Sequence, residues 1–139
     1  MKDIVIRIKS DIRMTGEEPQ KMEMTMPAKF YKKGASLYIA YEETELSGMA
    51  GDKTVLKITG DQVIMMRYGS NQSEMKFSLG ESFESDYGTP YGVFKMRHTT
   101  QQLYIKVTEE GTGSLEILYL LEVLGVSESL NDLKIDILT

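Results

Sequence analysis

Ile4-Val5-Ile6-Arg7-Ile8-Lys9-Ser10-Asp11-Ile12-Arg13 is the stretch that decides the fold. Ile4, Ile6, Ile8 and Ile12 alternate with Arg7, Lys9, Asp11 and Arg13. A period of two puts one set of side chains on a core face and the other in water, which describes a half-buried antiparallel strand. The same pattern returns outward from this stretch. Met22, Met24 and Met26 alternate with Lys21, Glu23 and Thr25, Leu103, Ile105 and Val107 with Tyr104, Lys106 and Thr108, and Leu133, Ile135 and Ile137 with Lys134 and Asp136. Turn residues separate these runs at regular intervals, among them Thr15–Pro19, Lys33-Gly34, Ser47–Asp52, Gly60-Asp61, Gly69–Asn71, Gly88–Gly92 and Glu109–Gly113. About ten strands at a spacing of ~8–12 residues are the pattern of an all-β sandwich or barrel.

Only one stretch is ambiguous. Leu115–Leu124 is apolar nearly all round as a helix, whereas as a strand it has one wholly apolar face of Leu115, Ile117, Tyr119, Leu121 and Val123. The flanking turns favour the strand, and Ser127–Asn131 admits a short helical turn.

Composition narrows the function classes. A chain of 139 residues suits one domain spanning 1–139, and that size buries roughly 68–70% of the unfolded chain's surface without a metal or disulfide staple. Cysteine is absent, so disulfides and thiolate zinc sites are excluded. Met1-Lys2-Asp3-Ile4-Val5 places charges in the first apolar run, unlike a signal peptide, and no stretch approaches the ~18 apolar residues that span a bilayer. A cytoplasmic protein without a membrane partner is expected. The net charge is −5 and the pI near 5.0, which disfavours phosphate-backbone binding, so no nucleic-acid partner is expected.

With the strands laid out, the chain resembles the YwiB-like family of uncharacterised bacterial β-barrel proteins. The matching pieces are Phe30–Lys33 with Leu37–Glu43, Thr54–Ile58, Val63–Gly69, Met75–Phe77 and Thr89–Gly92, in the same order over nearly the whole chain. The resemblance implies a single antiparallel up-and-down β-barrel of about 8–10 strands, lipocalin-like (calycin-like), in a small protein of mainly Gram-positive bacteria. It brings no activity and no catalytic residues.

A barrel of this strand number is just wide enough to be packed by side chains or to hold one small ligand. Ten methionines bear on the choice, since Met fills irregular space and lines adaptable surfaces. Arg67 shares a face with Val63 and Met65; if that face is inward, its guanidinium needs a carboxylate or phosphate partner. The alternatives are that Ile64, Met66 and Tyr68 face inward and leave Arg67 in water, or that Arg67 pairs with an acidic neighbour. Tyr41 follows Leu37 and Ile39, and Tyr119 lies between Ile117 and Leu121, so both phenols are candidates to line the interior. His98, the sole histidine, reads as a hydrogen-bonded strand-end residue and cannot by itself build a metal site. Tyr91 in Thr89–Gly92 is expected at a barrel mouth or packed under its loop. The doublets Glu17-Glu18, Glu42-Glu43 and Glu109-Glu110 point to opposite strand faces and do not pair for acid–base chemistry.

Two readings of function follow, neither with a cofactor, a metal or catalytic residues. In the first, the barrel binds a small apolar or amphipathic molecule, with Arg67, Tyr41 and Tyr119 at its polar end and Met65, Phe77 and Met96 along its body. In the second, a filled barrel acts through its outside, with Leu118, Leu120 and Leu124 as a homodimer or partner interface. An enzymatic role ranks third because no titratable constellation supports one.

Overall fold

The computed structural model describes residues 1–43 and 51–138. Ten strands are present: β1 (Lys2–Met14), β2 (Gln20–Lys33), β3 (Ser36–Glu42), β4 (Lys53–Thr59), β5 (Gln62–Tyr68), β6 (Ser73–Ser78), β7 (Ser82–Thr89), β8 (Gly92–Val107), β9 (Gly113–Val123) and β10 (Ser127–Ile137). They form one antiparallel sheet in the order β6-β5-β4-β3-β2-β1-β10-β9-β8-β7. Each strand lies beside its neighbour in sequence, and the pairing of β1 with β10 carries the sheet round until β6 approaches β7. The result is an up-and-down barrel closed except along one seam, with no helix among the described residues.

Two differences from the alternation pattern have clear causes. Ser127–Asn131 is the start of β10, because this segment is hydrogen-bonded on both sides. Leu130 and Asn131 lie opposite Leu120 and Tyr119 of β9 and opposite Arg13 and Ile12 of β1. Val93–Thr99 and Leu103–Val107 are halves of one strand, β8, whose register against β9 shifts between Thr100 and Gln102. The extra residue of that bulge changes the phase, so Met96, His98 and Thr100 point inward before it and Leu103, Ile105 and Val107 after it. Of the two places open to Tyr91, it takes the first: it is almost fully exposed at the β7–β8 turn, at an end of the barrel, and not packed under its loop. Of the expected turn Ser47–Asp52, residues 47–50 lie outside the described ones.

Half of the interior is packed solid. Ile6, Ile39, Leu56, Val63, Phe77, Leu115, Ile117 and Ile135 are each under 2% exposed. The Phe77 ring lies 4.8 Å from that of Tyr119 and 5.3 Å from the imidazole of His98. Met24, Met26, Met65, Met75 and Met96 fill the space between these residues, a use suited to their flexible thioethers.

The seam between β6 and the β7–β8 hairpin lacks a continuous ladder and is pinned at three places. Gln72 and Gly88 exchange two backbone bonds of 2.8 Å. At the other end Gly80 donates to the Thr100 carbonyl at 2.9 Å and Thr100 donates to that of Glu81 at 3.1 Å. Between them the side chain of His98 takes the place of a strand partner. Its Nε2 lies 3.0 Å from the Lys76 amide nitrogen and 2.7 Å from the Lys76 carbonyl oxygen, and a neutral ring satisfies one of the two at a time. His98 is therefore buried and hydrogen-bonded as expected, but in the middle of β8 and not at a strand end.

Candidate functional site

Towards one end of the barrel the inward residues change from apolar to polar. The alternation Leu37, Ile39, Tyr41 continues past the last residue of β3 and brings Glu43 inside as well. Register then carries polar groups round one wall: Tyr41 lies opposite Thr54 of β4, Thr54 opposite Arg67 of β5, and Arg67 opposite Ser73 of β6. On the other wall Tyr119 of β9 lies opposite Asn131 of β10, and Asn131 opposite Ile12 of β1.

These walls bound a cavity of about 440 Å³. Ile8, Ile12, Met22, Met24, Met65 and Leu133 supply its apolar lining, and Ser10, Gln20, Tyr41, Glu43, Arg67, Tyr119 and Asn131 its polar lining, with Lys21 at the rim. The volume falls in the ~300–1,000 Å³ range of small-molecule sites. A more open hollow of about 510 Å³ lies against the other side of Tyr41 and Glu43, among Asp3, Pro27, Lys29, Tyr31 and Lys53. Its wall mixes the charged Asp3, Lys29, Glu42 and Lys53 with Met26, Pro27, Ala28 and Tyr31.

The electrostatic centre of the cavity is an ion pair. Arg67 Nη2 lies 3.4 Å from Glu43 Oε1, and Thr54 Oγ1 donates to the same carboxylate oxygen at 2.6 Å. The Glu43 side chain is 4% exposed and that of Arg67 17%. Arg67 Nε and Ser73 Oγ, on facing residues, are shut off from solvent and have no hydrogen-bond partner among the described residues. Burial, and then the charge of Glu43, pushes the Tyr41 phenol far above its ordinary range; burial raises Tyr119 too. Both phenols stay protonated at neutral pH. Beside the pair, Asp52 accepts bonds from the amides of Ser70 and Asn71 at 2.9 and 3.2 Å and from Asn71 Nδ2 at 3.0 Å, tying the β5–β6 turn to the start of β4.

Of the six residues expected to touch a ligand, Arg67, Tyr41, Tyr119 and Met65 line this cavity together. Val63, Met65 and Arg67 do form the inward face of β5, and Arg67 pairs with an acidic neighbour there, the third of the arrangements weighed from sequence. Phe77 and Met96 do not reach the cavity. Phe77 is fully buried behind Tyr119, and Met96 is buried on β8 opposite Ser85 of β7. On the outside, Leu118 and Leu120 are half-buried on β9, while Leu124 lies beyond the end of that strand and is 43% exposed. Glu43 is the main residue that the sequence reading missed. Its signal was the same alternation that placed Tyr41 inside, but the doublet Glu42-Glu43 was weighed only for paired acid–base chemistry. No group of three or more His, Asp or Glu among the described residues is placed to hold a metal ion.

The model of a family described as a domain of unknown function, DUF1934, matches residues 6–135. The chain is 26% identical over 132 residues to the uncharacterised β-barrel protein YwiB of Bacillus subtilis (strain 168), covering 95% of this chain and 90% of that one. It also superimposes on the crystal structure of the Bacillus subtilis YwiB protein with a TM-score of 0.81, at 23% identity, over 96% of this chain and 88% of that one. The expected family likeness and the barrel are thus found.

Proposed function

We propose a function for a chain that belongs to the DUF1934 family: its barrel takes up one small amphipathic molecule, as a binding protein without turnover. The observation that carries this reading is the one-sided interior. Half of the barrel is packed solid, while the other half holds a cavity whose walls combine Ile, Leu and Met side chains with two protonated phenols and an ion pair. Polar groups are costly to bury, and a purely structural core of this size has no need of them. The ligand's polar end meets Tyr41, Arg67 and Tyr119, and its body packs on Met22, Met24, Met65 and Leu133. The outward residues of β1 and β2, among them Arg7, Lys9, Asp11, Glu23 and Lys29, are charged where a membrane barrel carries an apolar band. These charges support surroundings of water, and the cytoplasm is the compartment we propose.

Native mass spectrometry of gently purified protein tests the reading. The expected result is one small adduct per chain, lost on collisional activation, or saturable one-to-one uptake of a neutral apolar fluorophore by the apo protein. A clean apo mass together with no saturable uptake overturns it.

A second reading rests on the outer face of β9 and β10. Leu118 and Leu120 stand beside Leu130, which lies directly opposite Leu120, and all three are only half-buried. That strip suits a homodimer interface. Unchanged elution of a Leu118→Lys, Leu120→Lys variant relative to the wild type would count against it.

A further inference from the structure

The charge state of the cavity wall limits what its occupant can be. Among the described residues, two ionised side chains line its interior, Arg67 and Glu43, and they pair with each other; the buried Asp52 beside them is held by Ser70 and Asn71 and does not line it. Lys21, at the rim, is exposed and lies opposite Asp11 on the adjoining strand, so its field is screened by water and by a nearby opposite charge. The phenols of Tyr41 and Tyr119 add donors and no charge. A guanidinium awaiting a carboxylate head group would be bare, and this one is not. Glu43 already occupies that role and is itself fixed by Thr54.

What the wall still offers is a mixed set of hydrogen-bonding groups. The phenols of Tyr41 and Tyr119 line the cavity, as does Arg67, whose Nε is a buried donor with no partner among the described residues. Asn131 directs its Nδ2 to Ser129, at 2.9 Å from Oγ and 3.3 Å from the carbonyl oxygen, which leaves its own amide oxygen as the acceptor it can present. An anionic head would approach Arg67 only by setting a second negative charge against Glu43 in a desolvated site; a cationic head would meet the reverse problem at Arg67. A neutral group that both donates and accepts meets neither penalty and can pair with the phenols and with the Asn131 amide oxygen.

We propose that the ligand of this cavity carries an uncharged, hydrogen-bonding head, a primary carboxamide or an alcohol, on a short apolar body, and that the Glu43–Arg67 pair selects against carboxylates and amines. The inference rests on the binding reading above. Its test is displacement of the neutral fluorophore N-phenyl-1-naphthylamine from the full chain at about neutral pH by octanamide, 1-octanol, octanoate and octylammonium, which share one tail and differ in head charge. Octanamide or octanol should compete at least about tenfold more tightly than either charged compound, since like charges brought together in a desolvated site are strongly disfavoured. Glu43→Gln, which leaves Arg67 without its counter-charge, should tighten octanoate by at least about tenfold and change octanamide little. Octanoate binding to the wild type as tightly as octanamide overturns this inference and leaves the binding reading standing. A protein that takes up neither the fluorophore nor any octyl compound defeats the binding reading and the inference with it. The wild-type comparison decides the matter even if Glu43→Gln fails to fold.

Discussion

Glu43 and Arg67 depend on each other because each is charged where water is scarce. Removing one partner strands the other, and for buried pairs that costs about 3–5 kcal/mol. Arg67 keeps some exposure, so Glu43→Ala is expected near the low end, about 3 kcal/mol in urea unfolding. The Glu43→Ala, Arg67→Met double variant should be more stable than Glu43→Ala alone. A double variant no more stable than Glu43→Ala would show that the pair is not coupled. His98 gives a second residue-level prediction, in pH. Burial depresses its pKa, outweighing its bond to the Lys76 backbone. Its folded pKa therefore lies below the unfolded value of ~6.5, and the unfolded chain binds more protons between the two. Stability is then flat above about pH 7.5 and falls as the pH drops through 6.5 toward the folded pKa. His98→Asn should flatten that fall in urea-unfolding free energies measured between about pH 5.5 and 7.5. An equally steep fall in the variant would assign the dependence to other groups.

Strands were legible as elements wherever one face is apolar and the other wet. Ile4–Ile12, Met22–Met26 and Leu133–Ile137 all lie in strands with the expected face inward. The β8 bulge was not legible, since it reverses the phase of alternation inside one strand. Ser127–Asn131 misled for a related reason: its polar residues Ser129 and Asn131 face the cavity end of the barrel, so the usual apolar half of the pattern is missing. At the site, Tyr41, Met65, Arg67 and Tyr119 could be found from face sharing alone. Glu43 and Ser10 share the inward phase of Tyr41 and of Ile8 and Ile12 but, being polar, read as turn or surface residues until the register is known, and Asn131 fell in the segment that also admitted a helical turn. The β8–β9 hairpin shows how tightly one element end is specified. Gly113 has φ of +109°, and a Cβ there would overlap the Lys106 carbonyl oxygen. Gly113→Ala is expected to destabilise by more than ~1 kcal/mol, lowering the thermal midpoint by roughly 4 °C or more. A midpoint within about 1 °C of wild type would mean that the hairpin yields without loss.

The molecule as a whole is a single sheet with one weak line, and that line bounds its most buried ring cluster. Between β6 and the β7–β8 hairpin, three pinning points replace the continuous ladder that joins every other neighbouring pair. Unfolding should follow this asymmetry, because local opening begins where the fewest cooperative bonds must break. Opening the seam would expose Phe77, His98 and Phe83, whose rings cluster there at centroid separations of 5.3 and 6.0 Å from the imidazole, while leaving β1, β2, β9 and β10 paired. Native-state hydrogen exchange resolves the two cases. Amides of Glu74 and Lys76, which sit on the seam strand, are expected to exchange through a sub-global opening well below the global unfolding free energy. Amides of Ile6, Ile8, Ile117 and Ile135, inside the continuous ladders, should exchange only with global unfolding. His98→Asn should speed exchange at Lys76 more than at any position in β1. Equal protection of Lys76 and Ile6 in the wild type would mean that the seam opens only with the rest of the barrel, and that its side-chain bridge is as strong as the ladder it replaces.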